Sequence, residues 1–230
     1  MAQRFSTLNA YAQENGWYLT AWRTLGGLWR RVRDSFIARA LGAESMGLGR
    51  SPRIAGVRHI RLGANFAAAD CLWLDAVTEF AGYRYTPELV IGANCNVSSY
   101  AHIACTNRVT IGDGLLCGSG VMISDHAHGQ YHGAEQTGPA MRPAARRLSN
   151  DGVVVIGNNV WLGDGVVVLA GAVIGDGAVI GANSVVNGVI PAETVAVGAP
   201  AKVVRRWNGA EWVRVTVLPD GSAARGAITP

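Results

Sequence analysis

From Ile156 onward a branched aliphatic residue recurs at every sixth position: Ile156, Leu162, Val168, Ile174, Ile180 and Val186. That period belongs neither to a helix, at 3.6, nor to a flat strand, at 2. Glycine follows most of these residues (Gly157, Gly163, Gly175, Gly181), and the position four further on is small or β-branched: Val160, Val166, Ala172, Ala178 and Ser184. Each hexapeptide therefore reads as a short strand plus a turn, and three of them make one triangular turn of about 18 residues. The aliphatic points inward, the small residue fits the narrow corner, and Gly or Asn supplies the positive φ that the turn needs. One such turn cannot bury its own apolar face, so the turns must stack into a continuous column.

The same beat runs earlier through Ile91, Val97 and Ile103, slips by two residues at "CTNRV", and resumes at Ile111, Cys117 and Ile123. A fainter copy, "RLGANF", lies at Arg61 to Phe66. The coil is expected from about Ile54 to Pro191, broken once by an excursion over 127–153 that opens at "SDHAHG". Ahead of the coil, Thr20 to Leu41 reads as an amphipathic helix with Trp22, Leu25, Leu28 or Trp29, Val32 and Phe36 on one stripe, and Arg23, Arg30, Arg31, Arg33 and Arg39 set against Asp34. Two readings stand: a helix that caps the coil or packs on a neighbour, and an interfacial helix held against anionic lipid. "AKVVRRW" and "EWVRVTV" are expected to close the far end, with "DGSAARGAITP" frayed. The expected organisation is thus 1–50 helical, 51–206 coil and 207–230 capping strand and tail.

At 230 residues the chain suits one buried core with accessories, and 30 glycines with only 16% charged residues suit many tight turns. The formal charge of +4 is mild and the arginines are local, so a nucleic-acid-binding face is not expected. Neither a secretory signal nor a run of about 18 apolar residues is found, so the chain is expected in the cytoplasm, with at most peripheral membrane contact. The four cysteines form no CxxC pair and read as reduced, structural thiols.

Together, the hexapeptides from Ile91 to Val186, "SDHAHG", "VIGNNVWLGDGVVVLAGAVIGDGAVIGANSVV" and "IPAETVAVGAPAKVV" resemble the hexapeptide-repeat acyltransferases over roughly Ile54 to Arg206. Within them the chain is most similar to bacterial polysaccharide and lipopolysaccharide sugar O-acetyltransferases, with maltose, galactoside and xenobiotic acetyltransferases as cousins. The resemblance implies an all-β core wound as a left-handed parallel β-helix, a homotrimer, and acetyl-coenzyme A lying between adjacent subunits.

Acetyl transfer from a thioester to a hydroxyl needs a base for the hydroxyl proton, donors for the oxyanion and alignment of both substrates. The family's histidine at the end of a coil strand, directly before the excursion, corresponds to His126. His128, two residues on, shares a face with it if the chain stays extended, so it is a second contact or the base itself. Strand alternation turns Asp125 away from His126, leaving it as a substrate-side candidate or a turn residue binding nearby amides. His102 also resembles a family position and is carried as a substrate-side wall residue; His59 and His132 receive no role. Tyr131, Arg142 and Arg146 are candidate sugar or phosphate contacts, because a long irregular loop in a compact fold is more often functional than accidental.

For the coenzyme, the resemblance implies Trp161 beside the groove, Gly163 and Ala182 where the pantetheine arm approaches backbone, and Lys202 and Arg205 at the phosphates. Where many relatives continue "SVV" with Thr, Lys and Asp, this chain has Asn187, Gly188 and Val189, so that lysine contact is missing. Competing readings are an acetyltransferase for a free sugar or small xenobiotic, a non-catalytic trimeric scaffold, and a zinc carbonic anhydrase of the same fold. The clustered His126, His128 and His132 do not match the last family's ligand spacing, and no metal is expected.

Overall fold

The computed structural model of the chain describes residues 12–14, 16–149 and 152–215. The carboxy-terminal stretch expected to fray lies outside them, as do the side chains of Trp22, Arg23 and Leu25. Three parallel sheets wind as a left-handed β-helix. Face A carries Met46–Leu48, Phe66–Ala68, Asn96–Val97, Leu116–Cys117, Trp161–Leu162, Val179–Ile180 and Thr194–Val197. Face B runs Arg53–Ala55, Trp73–Ala76, His102–Cys105, Met122–Ser124, Val167–Val168 and Val185–Val186. Face C runs Ile60–Leu62, Glu88–Ile91, Arg108–Ile111, Val153–Ile156, Val173–Ile174 and Val189–Ile190.

The sixfold beat is the inner lining. Ile91, Ile111, Ile156, Ile174 and Ile190 stack on face C, Leu74, Ile103, Ile123, Val168 and Val186 on face B, and all are buried. Corners behave as the turn chemistry requires: between faces C and A the left-handed residue is Asn65, Asn94, Gly114, Asn159, Gly177 and Glu193 in successive turns. Side chains there tie one turn to the next. Asp113 accepts the amide of Ala93, Asn158 that of Asp113, and Asp176 that of Asn158.

Two expectations are corrected. The coil begins at Met46–Leu48, which pairs in parallel with Phe66–Ala68, ahead of the expected start near Ile54. It is broken twice, because a hairpin of Glu79–Phe80 and Tyr83–Arg84 leaves it between faces B and C before the 127–153 excursion does. Helix α1 (Trp17–Leu41) caps the coil, one of the two expected readings, and does so with the side opposite its apolar stripe. Leu41 and Ala38 are buried, the Asp34 carboxylate accepts the amide of Leu48, and Arg33 donates to the carbonyls of Leu48 and Gly49. Leu28, Trp29, Val32 and Phe36 face outward. At the far end Lys202–Trp207 and Trp212–Arg214 add antiparallel strands to face A.

Candidate active site

The face B strand Met122–Ser124 stops at Ser124, and the next two residues leave the ladder. Asp125 turns inward, fully buried, into the turn that follows Cys105, where it accepts the backbone amides of Thr106 and Asn107 and the Thr106 hydroxyl. Its Oδ1 also lies 2.8 Å from Nδ1 of His126. Burial works against the Asp125 charge, but the bond to His126 and the two amides outweigh it and hold the carboxyl below its ordinary range. An ionised carboxylate only accepts, so Nδ1 carries the proton and Nε2 presents its lone pair. Among the described residues no hydrogen bond involves Nε2 of His126.

This geometry overturns two expectations for Asp125. Strand alternation does not separate it from His126, because the strand has ended. As a buried carboxylate filled by amides and an imidazole it is no substrate contact. The two-residue slip at "CTNRV" supplies that cradle, and Thr106 and Asn107 were not among the sequence candidates.

His128 is exposed, packs edge-on against Phe80 of the hairpin at 4.9 Å, and pairs with Leu148 across the base of the excursion. No carboxylate is bonded to it among the described residues. Tyr85 fixes the same base, its hydroxyl accepting the Leu148 amide at 2.9 Å. The excursion is thus anchored on its own chain. Tyr131 and Arg146 do come together, at 2.8 Å, but on loop-bracing duty: Tyr131 donates to the carbonyl of His128, while Arg146 donates to Tyr131 and to the carbonyls of Met141 and Pro139. Arg142 is exposed at the start of the short turn Pro143–Ala145. A cavity of about 490 Å³ lies between Tyr83 of the hairpin and Gln130, Thr137, Met141 and Arg147 of the excursion.

His102 stands in the outward column of face B between Trp73 and Met122. Its ring stacks on Trp73 at 4.0 Å, and its Nε2 is buried with no hydrogen-bond partner among the described residues. Burial, aided by nearby His126 and opposed by Asp75, lowers the His102 pKa below its ordinary value. It is neutral near pH 7.

The expected coenzyme residues divide. Trp161 is exposed on face A in an outward column with Leu116, Val179 and Val195, which pairs in turn with Arg205. Residues three apart in a strand face opposite ways. A bulge removes that obstacle: Arg205 pairs with Val195 and Lys202 with Val197, so Val204 is passed over and both cations reach the outer face. Trp161 and Arg205 are three strand steps apart, roughly 14 Å. Gly163 and Ala182 meet at the corner after face A, where a Cβ on Gly163 would lie 2.7 Å from the Ala182 nitrogen. That contact between turns accounts for the glycine without a ligand. His126 follows face B and Trp161 lies on face A, so the two do not share a face of one chain.

Cys95, Cys105 and Cys117 are buried free thiols, and burial pushes Cys117 up to about 12. Among the described residues no three His, Cys, Asp or Glu side chains are grouped to hold a metal ion.

Residues 154–188 match the family model described as bacterial transferase hexapeptide (six repeats). The chain is 38% identical over 185 residues to the putative lipopolysaccharide biosynthesis O-acetyl transferase WbbJ of Escherichia coli K12, covering 80% of this chain and 90% of that protein. It is 34% identical to the galactoside O-acetyltransferase of the same organism, over 55% of this chain and 58% of that one. Among solved structures, AntD from Bacillus cereus, an N-acyltransferase with dTDP and 3-hydroxybutyryl-CoA, superposes with a TM-score of 0.55 at 17% identity, over 70% of this chain and 80% of that one. The Vibrio cholerae hexapeptide-repeat acetyltransferase VCA0836 with acetyl-coenzyme A superposes at 0.50 and 21%, over 76% of each.

Proposed function

The chain belongs to the hexapeptide-repeat acyltransferases, and we propose that it moves an acetyl group from acetyl-coenzyme A to a sugar hydroxyl of a surface polysaccharide or lipopolysaccharide precursor. The observation that carries the chemistry is the Asp125–His126 pair at the mouth of the excursion. Nε2 of His126 receives the acceptor's proton as the hydroxyl oxygen adds to the thioester carbonyl. The imidazolium so formed is stabilised by the ionised Asp125 and returns the proton to the departing sulfur. Asp125 itself keeps its charge throughout, held by the amides of Thr106 and Asn107.

Trp161, Lys202 and Arg205 suit the coenzyme: an exposed aromatic and two cations on one outward face offer stacking and charge-assisted contacts to phosphates. Because His126 and Trp161 are on different faces, the reading requires a second copy whose face A meets the first copy's His126. Repeating that head-to-tail contact around a threefold axis gives a closed homotrimer with three equivalent sites. The sugar assignment draws on WbbJ, with His102, Arg142 and the cavity beside Tyr83 as acceptor-side candidates.

The reading is tested by thiol release from acetyl-coenzyme A against free sugars, nucleotide sugars and lipid-linked glycans, with product mapping. Acetylation of a glycan precursor supports it. Thiol release with small xenobiotics and none with any glycan contradicts it.

A further inference from the structure

The outward face of helix α1 is apolar where a capping helix should be polar. Tyr18 is 95% exposed, Trp29 and Phe36 74% each and Val32 46%, and they lie along one stripe because they are spaced by eleven, three and four residues. The side that docks on the coil uses the Arg33–Asp34 pair, Ala38 and Leu41. Outward aromatics on an element already anchored by its other side mark a surface that meets something else.

We propose that this face lies on an anionic lipid surface. The helix carries Arg23, Arg30, Arg31, Arg33 and Arg39 against Asp34 alone, a formal +4; Arg33 and Asp34 pair on the docked side, while Arg31 and Arg39 are exposed. Phosphate headgroups complement that charge, while Trp, Tyr and Phe are the side chains that settle at the headgroup boundary. From Tyr18 to Phe36 the stripe runs roughly 27 Å at ~1.5 Å per residue, long enough to lie flat. Its arginines keep the helix from crossing, and among the described residues no helix is long and apolar enough to span a membrane.

A second copy of the helix fits this face less well. Close helix pairs favour Leu, Ile or Val in the seam and opposite charges beside it. Here the described seam is mainly aromatic, and the flanking charges are both positive: Arg39, which is exposed, and Arg33, already committed to Asp34, Leu48 and Gly49. The docked side leaves the capped end of the coil, with the stripe on its outer surface, facing the lipid.

The test uses the full chain and flotation with vesicles of phosphatidylglycerol or of phosphatidylcholine alone. Binding to the anionic vesicles, weakened by salt, is expected. Trp29→Glu with Phe36→Glu, both exposed in the fold, should lower bound protein at least about tenfold, and Arg31→Glu with Arg39→Glu should do the same. Thermal unfolding and circular dichroism verify that the variants are folded. No flotation of the wild type, or equal flotation with phosphatidylcholine, overturns the proposal. So does an aromatic variant that floats normally but loses a subunit contact by light scattering, since the stripe is then covered by another copy. Failure of the glycan assay leaves these readouts untouched, so the two readings fail separately.

Discussion

Nδ1 of His126 lies 2.8 Å from Oδ1 of Asp125, the residue immediately before it, although neighbours along a strand face opposite ways. The contact forms because the strand ends at Ser124 and Asp125 folds into the amides of Thr106 and Asn107. One buried carboxylate thereby fixes the turn, the tautomer and the ring of the proposed base.

Asp125→Asn replaces an acceptor-only group with one that also carries donors. Rotation of the amide then either opposes the Thr106 and Asn107 N–H groups or releases His126 Nδ1. We expect a fall in kcat of at least about a hundredfold and a loss of stability on the order of 2 kcal/mol, read by steady-state kinetics and urea unfolding. The native Asp125 has a depressed folded pKa, so its stabilisation is complete above the ordinary value of 3.8 and drains away as pH falls below it. The variant should lack that part of the acid-unfolding slope.

His102 predicts a second, milder pH dependence. Its folded pKa is lowered from 6.5, so on acidification the unfolded chain takes up this proton first. Stability contributed by neutral His102 is full above about pH 6.5 and is lost as pH falls through the lower folded value. His102→Phe keeps a ring on Trp73 and removes the unpaired buried nitrogen. Its melting temperature near neutral pH should equal or exceed wild type, and it should drop less between about pH 7 and pH 5.

Gly163→Ala tests what that position is for. The new Cβ would meet the Ala182 nitrogen at 2.7 Å and its Cα at 3.0 Å, pushing two turns of the coil apart. A loss of about 1–3 kcal/mol is expected in denaturant titration. A rise in KM for acetyl-coenzyme A with stability unchanged would instead assign the glycine to the coenzyme.

On face A the opposite pattern is expected. Trp161 is exposed, and Lys202 and Arg205 reach the outer side of the closing strands, so their truncation leaves the core intact. Lys202→Ala with Arg205→Ala should raise KM for acetyl-coenzyme A by roughly tenfold or more, more steeply at low salt, with melting unchanged. Trp161→Ala should act in the same direction.

The coil was legible because its period has a single physical reading: every sixth residue is buried, and Asn or Gly stands at most of the left-handed corners. His126 was legible from its place at the end of a strand. Its partner was not, since Asp125 lies one residue beyond the strand and strand alternation no longer governs it there. The hairpin at Glu79–Arg84 left only a weak signal, aromatics around Gly82, and its Phe80 and the following Tyr85 matter through contacts some 50 to 60 residues away with His128 and Leu148. The apolar stripe of α1 was found by spacing, yet spacing does not say which side is covered. Docking went to Asp34, Ala38 and Leu41 instead.

The central claim is that Nε2 of His126, held by Asp125, is the base. Single-turnover acetyl transfer by His126→Ala and His128→Ala, each confirmed folded by melting temperature, tests it most directly. The account predicts a loss of roughly 10² to 10⁴ for His126→Ala and a change within a few-fold for His128→Ala. Full activity in His126→Ala beside an inactive His128→Ala contradicts it.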